Sequence, residues 1–337
     1  MKIGFTYDLR KAYTEMGLSE EETAEFDSED TIIAIEDALK DLGHEVSRIG
    51  NIYELTRRLS HGECWDIVFN ISEGLYGPAR ESQVPALLDA YRIPYTFSDS
   101  LTLALCLDKA VTKKLVLHSG VPTPEFVVIR NLHEMRYEKR LQSNIYPLFV
   151  KPVSEGTSKG INQESVVWDF EDLKKQCKKL FSRFDQPVLA EKYLSGREFT
   201  AGIIGTGKHA ECIGVMQIKL NTGAERDSYS YMNKEFYEQR VIYSLVVDKG
   251  VAKEAADIAL KAYRALGCRD AGRVDLKADE EGNLFFLEIN PLPGLHPVRS
   301  DLSILCGKAG IPYRDLISKI MNSAIHRSSK ALHPLHA

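Results

Sequence analysis

A short apolar run around Ile3 and Phe5 predicts a strand over residues 2–8, and Ile32, Ile35, Leu39 and Leu42, spaced by three or four, predict a helix with one apolar stripe. Asp30 is placed to cap that helix and Gly43 to stop it. Strand patterns return at residues 45–49 and 65–70, and helical spacing returns at Val84, Leu87, Leu88 and Tyr91, with Pro85 tolerated in the first turn. The polar, acid-rich residues 9–29 read as a loop over one end of a sheet. Strands alternating with helices in this way predict an open, mostly parallel α/β sheet.

Residues 101–119 keep a helical pattern, with Asp108 and Lys109 at a helix opening, until Gly120, Pro122 and Pro124 break it. A domain change therefore falls near residues 108–122. The order beyond it is strand (147–151), glycine-bearing loop (154–160), helix (169–184) and strand (188–192). Longer strand patterns at 198–205 and 211–220 predict antiparallel sheet, a helix follows at 251–266, and two helices close the chain. The C-terminal half is thus expected to be α+β.

Residues 272–293 carry the most chemistry. Val274 and Leu276 alternate with Arg273 and Asp275, and Leu287 and Ile289 alternate with Glu288 and Asn290, the period of two strands with one face in a core. A two-residue turn at Glu281-Gly282 would set Asp275 opposite Glu288 and Arg273 opposite Asn290. Two carboxylates and an amide oxygen at one spot repel each other unless a cation lies between them. All-oxygen ligands suit a hard ion, magnesium first with manganese as the alternative, which completes its shell with water and phosphate. An arginine beside them suits a bound anion or the oxyanion of acyl transfer. A solvated strand face with ordinary ion pairs fits the same spacing equally well.

Other stretches could handle phosphate. Lys151 ends a strand and leads into Glu155-Gly156-Thr157-Ser158-Lys159-Gly160, whose glycines, amides and Thr157 and Ser158 hydroxyls could close over phosphates, although the spacing is not that of a P-loop. Lys109 reads equally as a surface lysine. Glu191-Lys192-Tyr193-Leu194 ends a strand, and its backbone could read a purine edge, with Glu198 near enough to accept from a ribose; a plain connector between sheets is the alternative.

Composition narrows the class. The chain has 337 residues, is 44% hydrophobic and 27% charged, and carries a net charge of only −5, so nucleic acid and anionic membranes are not expected partners. No apolar run approaches a membrane span, and the N-terminus begins with a strand rather than a signal peptide, so a cytoplasmic location is expected. The six cysteines have no metal-type spacing and are expected to be reduced. The histidine-bearing tail from Ser328 reads as a frayed terminus.

Taken in order, the Lys109 helix, the Lys151–Gly160 loop, the Glu191-Lys192-Tyr193-Leu194-Ser195-Gly196 strand, Gly272-Arg273-Val274-Asp275-Leu276 and Phe286-Leu287-Glu288-Ile289-Asn290-Pro291 closely resemble the ATP-grasp ligases, specifically the D-alanine–D-alanine ligase family. The resemblance runs from about Ser98 to Asp315. It implies an N-terminal α/β domain (1–107), a central lid (108–196) and a C-terminal catalytic domain (197–327) ahead of a tail (328–337), with ATP clasped between two sheets. Lys109 and Lys151 would meet its phosphates, Glu191, Lys192, Tyr193 and Leu194 the adenine, and Glu198 the ribose. Asp275, Glu288 and Asn290 would hold magnesium. Arg273, with Lys234, Thr157 and Ser158, would act on the reacting groups.

The implied reaction phosphorylates a substrate carboxylate and lets an amine displace the phosphate, giving an amide. Small amino acids would be the substrates and a homodimer the assembly. Four departures touch the amino-acid side of the site: Tyr7-Asp8-Leu9-Arg10 and the acidic insertion, in which Glu25 is the positional counterpart of the family's amine-binding glutamate; Asn70-Ile71-Ser72-Glu73-Gly74; Glu235; and residues 295–300. Three functions therefore stand open. They are D-alanine dimerisation, ligation of a different carboxylate and amine, and nucleotide binding without ligation.

Overall fold

A computed structural model describes residues 1–143, 145–221 and 240–331, the last three by their backbone alone. Strands β1 (Lys2–Thr6), β2 (Glu45–Gly50) and β3 (Ile67–Asn70) form a parallel sheet in the order β2-β1-β3. Residues 9–29, expected to be a loop, contain helix α1 (Arg10–Glu15). Helix α2 (Glu29–Asp41) begins after Ser28, so Asp30 lies in its first turn instead of capping it, where its charge still favours the helix dipole. Ile32, Ile35 and Leu39 of α2 are fully buried, worth about 1.5–3 kcal/mol each relative to exposure. They share a core with Ile3 and Phe5 of β1 and with Leu316 and Ile320 from the last helix. Helices α3 (Ile52–Ser60) and α4 (Gln83–Ala90) complete this part.

The single helix expected at 101–119 is two, α5 (Ser100–Leu107) and α6 (Lys109–His118). Asp108 breaks it by taking an extended conformation (φ −83°, ψ 99°), and its carboxylate then accepts from the N–H groups of Ala110 and Val111. That cap fixes the start of α6 and puts Lys109 and Lys113, four residues apart, on one face.

Strands β4 (Phe126–Ile129), β5 (Leu148–Pro152), β6 (Val166–Val167) and β7 (Val188–Lys192) make an antiparallel sheet in the order β4-β7-β5-β6. The short helix α7 (Leu132–Met135) follows β4, and α8 (Phe170–Phe184) packs Leu173, Cys177 and Leu180 on the sheet. The third sheet, also antiparallel, runs β10-β9-β8-β11-β12. It is built from β8 (Glu198–Ile204), β9 (Glu211–Leu220), β10 (Val241–Leu245), β11 (Ala271–Ala278) and β12 (Leu284–Asn290). Helix α9 (Lys249–Ala265) covers one face through Ala255, Ala259, Ala262 and Tyr263. Helices α10 (Asp301–Lys308) and α11 (Tyr313–Ala331) end the described chain. Among the described residues, no helix is long and apolar enough to cross a membrane.

Candidate active site

The β11–β12 hairpin pairs Asp275 with Glu288 and Arg273 with Asn290, the register the sequence predicts, but by a different route. The turn is longer than two residues. Asp279 and Asn283 are bonded across it, Asp279 N–H to Asn283 O at 3.0 Å, with Gly282 at φ +92°. That turn shifts the pairing by one residue, and an irregularity between Asp275 and Leu276 shifts it back. The extra residue is Leu287. Expected in the core, it lies instead beside Glu288 on the wall of a pocket, while Val274, Leu276, Phe286 and Ile289 are buried behind.

On the open face, the Arg273 guanidinium is forked between two carboxylates. Its Nε and Nη2 donate to Asp275 at 2.9–3.2 Å and its Nη1 reaches Asp301 at 3.0 Å. Burial opposes the charge on Arg273, but Asp275 and Asp301 outweigh it and hold the group protonated far above neutral pH. Thr200 Oγ1 donates to Asp275 Oδ1 at 2.7 Å, and Asn290 Nδ2 lies 3.4 Å from Asp275 Oδ2, which leaves the amide oxygen of Asn290 turned from that bond. Part of the acid cluster is thus compensated by Arg273 itself. The oxygen donors of Asp275, Glu288 and Asn290 remain a set that fits a hard divalent ion.

Next to this face lies a mainly apolar pocket of about 80 Å³, lined by Phe149, Leu194 and Leu287 with Lys151, Glu191 and Glu198. Lys192, Tyr193 and Ser158 line it too. Lys151 Nζ contacts Glu191 at 2.7 Å, and Lys113 Nζ contacts the same carboxylate at 2.8 Å. All three are buried. Burial pushes Lys113 down to about 8 despite Glu191, whereas on Lys151 the pull of Glu191 and Glu288 exceeds the effect of burial and raises its pKa. The Lys192 and Tyr193 N–H groups are used by Glu125 O and Pro147 O. Glu198 pairs with Lys277 at 3.2 Å.

A second, larger cavity of about 470 Å³ adjoins the first, and Glu288 lines both. Lys109, Thr157, Arg273 and Asn290 line the larger one. Lys109 Nζ donates to Glu155 O at 2.5 Å and lies 3.6 Å from Glu288. The loop after β5 is closed onto the N-terminal insertion. Glu25 accepts from Gly156 N–H (2.6 Å), Lys159 Nζ (3.0 Å) and Arg80 Nη2 (3.1 Å), while Arg80 Nη1 holds Ser154 O. Burial raises the Glu25 pKa, but Arg80 and Lys159 more than reverse it, so Glu25 stays ionised. A Cβ at residue 156 would sit 2.5 Å from Glu25 Oε1, so this close approach requires glycine.

Every expected site residue except one therefore meets at these two cavities, and Lys234 lies outside the described residues. The family described as D-ala D-ala ligase C-terminus matches residues 115–322. The chain is 30% identical to a D-alanine–D-alanine ligase of Bordetella avium over 326 residues, 96% of this chain and 94% of the relative. The chain belongs to the D-alanine–D-alanine ligase family.

A second member, from Aquifex aeolicus, is 31% identical over 86% of this chain and 92% of its own length. Two solved structures share the fold. A D-alanine–D-alanine ligase of Bacillus anthracis complexed with ATP superposes with a TM-score of 0.75 at 23% identity, covering 98% of this chain and 99% of that one. The VanG D-Ala:D-Ser ligase of Enterococcus faecalis gives 0.73 at 21%, covering 96% and 99%. The fold is that of the ATP-grasp ligases, as the motifs implied.

Sequence reasoning missed Lys113, Arg80, Lys159 and Asp301. Lys113 could have been found by its spacing from Lys109 on one helix face. Arg80 and Asp301 carry no local signal, since only tertiary packing brings them to the cavity.

Proposed function

We propose that this protein, an ATP-dependent ligase of the D-alanine–D-alanine ligase family, joins the carboxylate of one small amino acid to the amine of another in the larger cavity, using ATP held in the smaller one. The observation that carries this reading is Glu288. It stands on the wall common to both cavities, opposite Asp275 and beside Arg273, so the terminal phosphate of a nucleotide in the apolar pocket is directed toward the polar cavity.

Lys109 and Lys151 neutralise phosphate charge, and Leu194, Leu287 and Phe149 pack the base. Asp275, Glu288 and Asn290 would hold magnesium, which would supply charge neutralisation at the transferring phosphoryl group. A substrate carboxylate oxygen takes the γ-phosphoryl group and ADP leaves. The amine then attacks the acyl carbon, a proton leaves the nitrogen, and the carbon–oxygen bond to phosphate breaks. Arg273 meets the charge that grows on the tetrahedral oxygen. The 154–160 loop, held by Glu25, keeps water from the intermediate. Units at 1–107, 108–196 and 197–327 would move against one another in this cycle, in a cytoplasmic homodimer whose mass light scattering would report.

The same chemistry on a pair other than two D-alanines is favoured by Glu25, because Arg80, Lys159 and Gly156 already occupy its oxygens. Phosphate release and product mass over an amino-acid panel, with ATP and magnesium, test the reading. Amide product with one phosphate per bond is expected; ATP binding without release for any pair would leave only a nucleotide-binding protein.

A further inference from the structure

One buried cation stands behind the smaller pocket without lining it. Lys113, on α6, is fully buried, and its ammonium group meets three acceptors: Glu191 Oε2 at 2.8 Å, Thr123 Oγ1 at 2.9 Å and Phe286 O at 3.4 Å. Thr123 Oγ1 donates in turn to Phe286 O at 2.9 Å, so α6, β7, β12 and the chain before β4 converge on this one group. Lys151 and Glu191 line the pocket, whereas Lys113 lines neither cavity. A buried carboxylate needs one counter-charge, and Lys151 Nζ, 2.7 Å from Glu191 Oε1, already supplies it. The other three carboxylates on the pocket wall have cations too: Glu198 has Lys277, Asp275 has Arg273 and Glu288 has Lys109. Lys113 is therefore a second buried cation on one carboxylate. Burial opposes its charge, Glu191 sustains it, and Lys151 opposes it again. Such a group costs desolvation, and the cost is offset when an anion meets the far side of Lys151.

Resting on the placement of the nucleotide in the smaller pocket, we propose that Lys113 is a positioning residue for phosphate binding: it holds and offsets the Glu191 carboxylate, so that the charge of Lys151 is left for the nucleotide's phosphate groups. Lys113 acts through Glu191 alone, because its own ammonium group is engaged by protein acceptors and faces neither cavity. Without it, Glu191 and Lys151 form a neutral pair in a site of low dielectric, and a phosphate approaching Lys151 meets the opposing field of the carboxylate behind it. A purely structural pin would instead tie α6 to β7 and β12, with no effect of its charge on the nucleotide. The two roles part at Glu191. An offset is no longer needed once the carboxylate is neutral, so removing both charges leaves Lys151 as effective as before, whereas a pin is damaged further by each substitution.

The test is titration calorimetry on the full chain with magnesium, using ADP directly and adenosine by competition against ADP. The ratio of the two affinities isolates the phosphate contribution, because contacts to base and ribose cancel. Lys113→Met should lower the ADP-to-adenosine ratio about tenfold, the factor of one charge-assisted contact. Adding Glu191→Gln to it should bring the ratio back to within about twofold of the unaltered protein, and Glu191→Gln alone should not lower it. Circular dichroism and the urea midpoint check that each variant is folded. If Lys113→Met does not fold, the double variant and Glu191→Gln decide by themselves. A ratio unmoved in Lys113→Met, one that the second substitution leaves low, or one lowered by Glu191→Gln alone overturns the role of Lys113 while the nucleotide stays where it was placed. If the unaltered protein binds ADP no more tightly than adenosine, the placement of the nucleotide falls and the role of Lys113 with it. If the ratios shift as expected but no amino-acid pair yields amide, the ligase reading fails and the role of Lys113 stands.

Discussion

Arg273 is the residue on which stability and chemistry meet. Because its guanidinium is shared between Asp275 and Asp301, removing one carboxylate does more than delete a metal ligand. Asp275→Asn should abolish turnover and also cost on the order of 2 kcal/mol in urea unfolding, since it breaks one side of a buried fork. Glu288→Gln should abolish turnover at a smaller stability cost, and equal losses in the two variants would contradict this difference. Arg273→Ala should lower the catalytic rate by about 2.7–4 kcal/mol while ATP affinity changes much less, as measured by single-turnover kinetics and nucleotide titration. Glu81 supplies a pH test. Its folded pKa, raised to about 7 first by burial, with Glu25 adding to it against Arg80, Lys109 and Lys159, exceeds its ordinary value. The folded state therefore binds more protons than the unfolded state between those two values, and this contribution is full below pH 4 and is lost as pH rises through 7. Glu81→Gln should unfold at a higher urea concentration than the unaltered protein at pH 8, with the gap closing at pH 5; a constant gap would refute it.

At the level of elements, the loop after β5 depends on a partner from the far end of the sequence. Glu25→Gln weakens three contacts to residues 80, 156 and 159 at once, so amide hydrogen exchange at residues 154–160 should accelerate while β8 and β11 are unchanged. Equal protection in the variant would mean that Glu25 does not hold the loop. The hairpin shows what a single sequence makes legible. Alternation placed Arg273, Asp275, Glu288 and Asn290 on one face because side-chain parity within a strand is local. Leu287 could not be placed, because the irregularity that turns it into the apolar pocket depends on a longer turn and on pairing between strands. Helices α2, α8 and α9 were legible from their stripes, whereas the break at Asp108 was masked by helical residues on both sides. The networks of Glu25 and Glu191 were illegible for a simpler reason: their members are brought together by packing of separate segments.

Across the whole molecule, two cavities meet at Glu288, and that junction is where a carboxylate would be activated and then captured by an amine. An N-terminal parallel sheet carries the insertion and the Glu73 loop, the middle sheet supplies Lys151 and Glu191, and the C-terminal sheet supplies Arg273, Asp275, Glu288 and Asn290. Fold membership is secured by the match over residues 115–322 and by neighbours that cover nearly the full chain. The most direct measurement is isotope transfer. With a substrate carboxylate labelled with oxygen-18, the account predicts that one labelled oxygen appears in the released phosphate for each amide formed. Unlabelled phosphate would mean that ATP is split by water, and it would contradict ligation through an acyl phosphate.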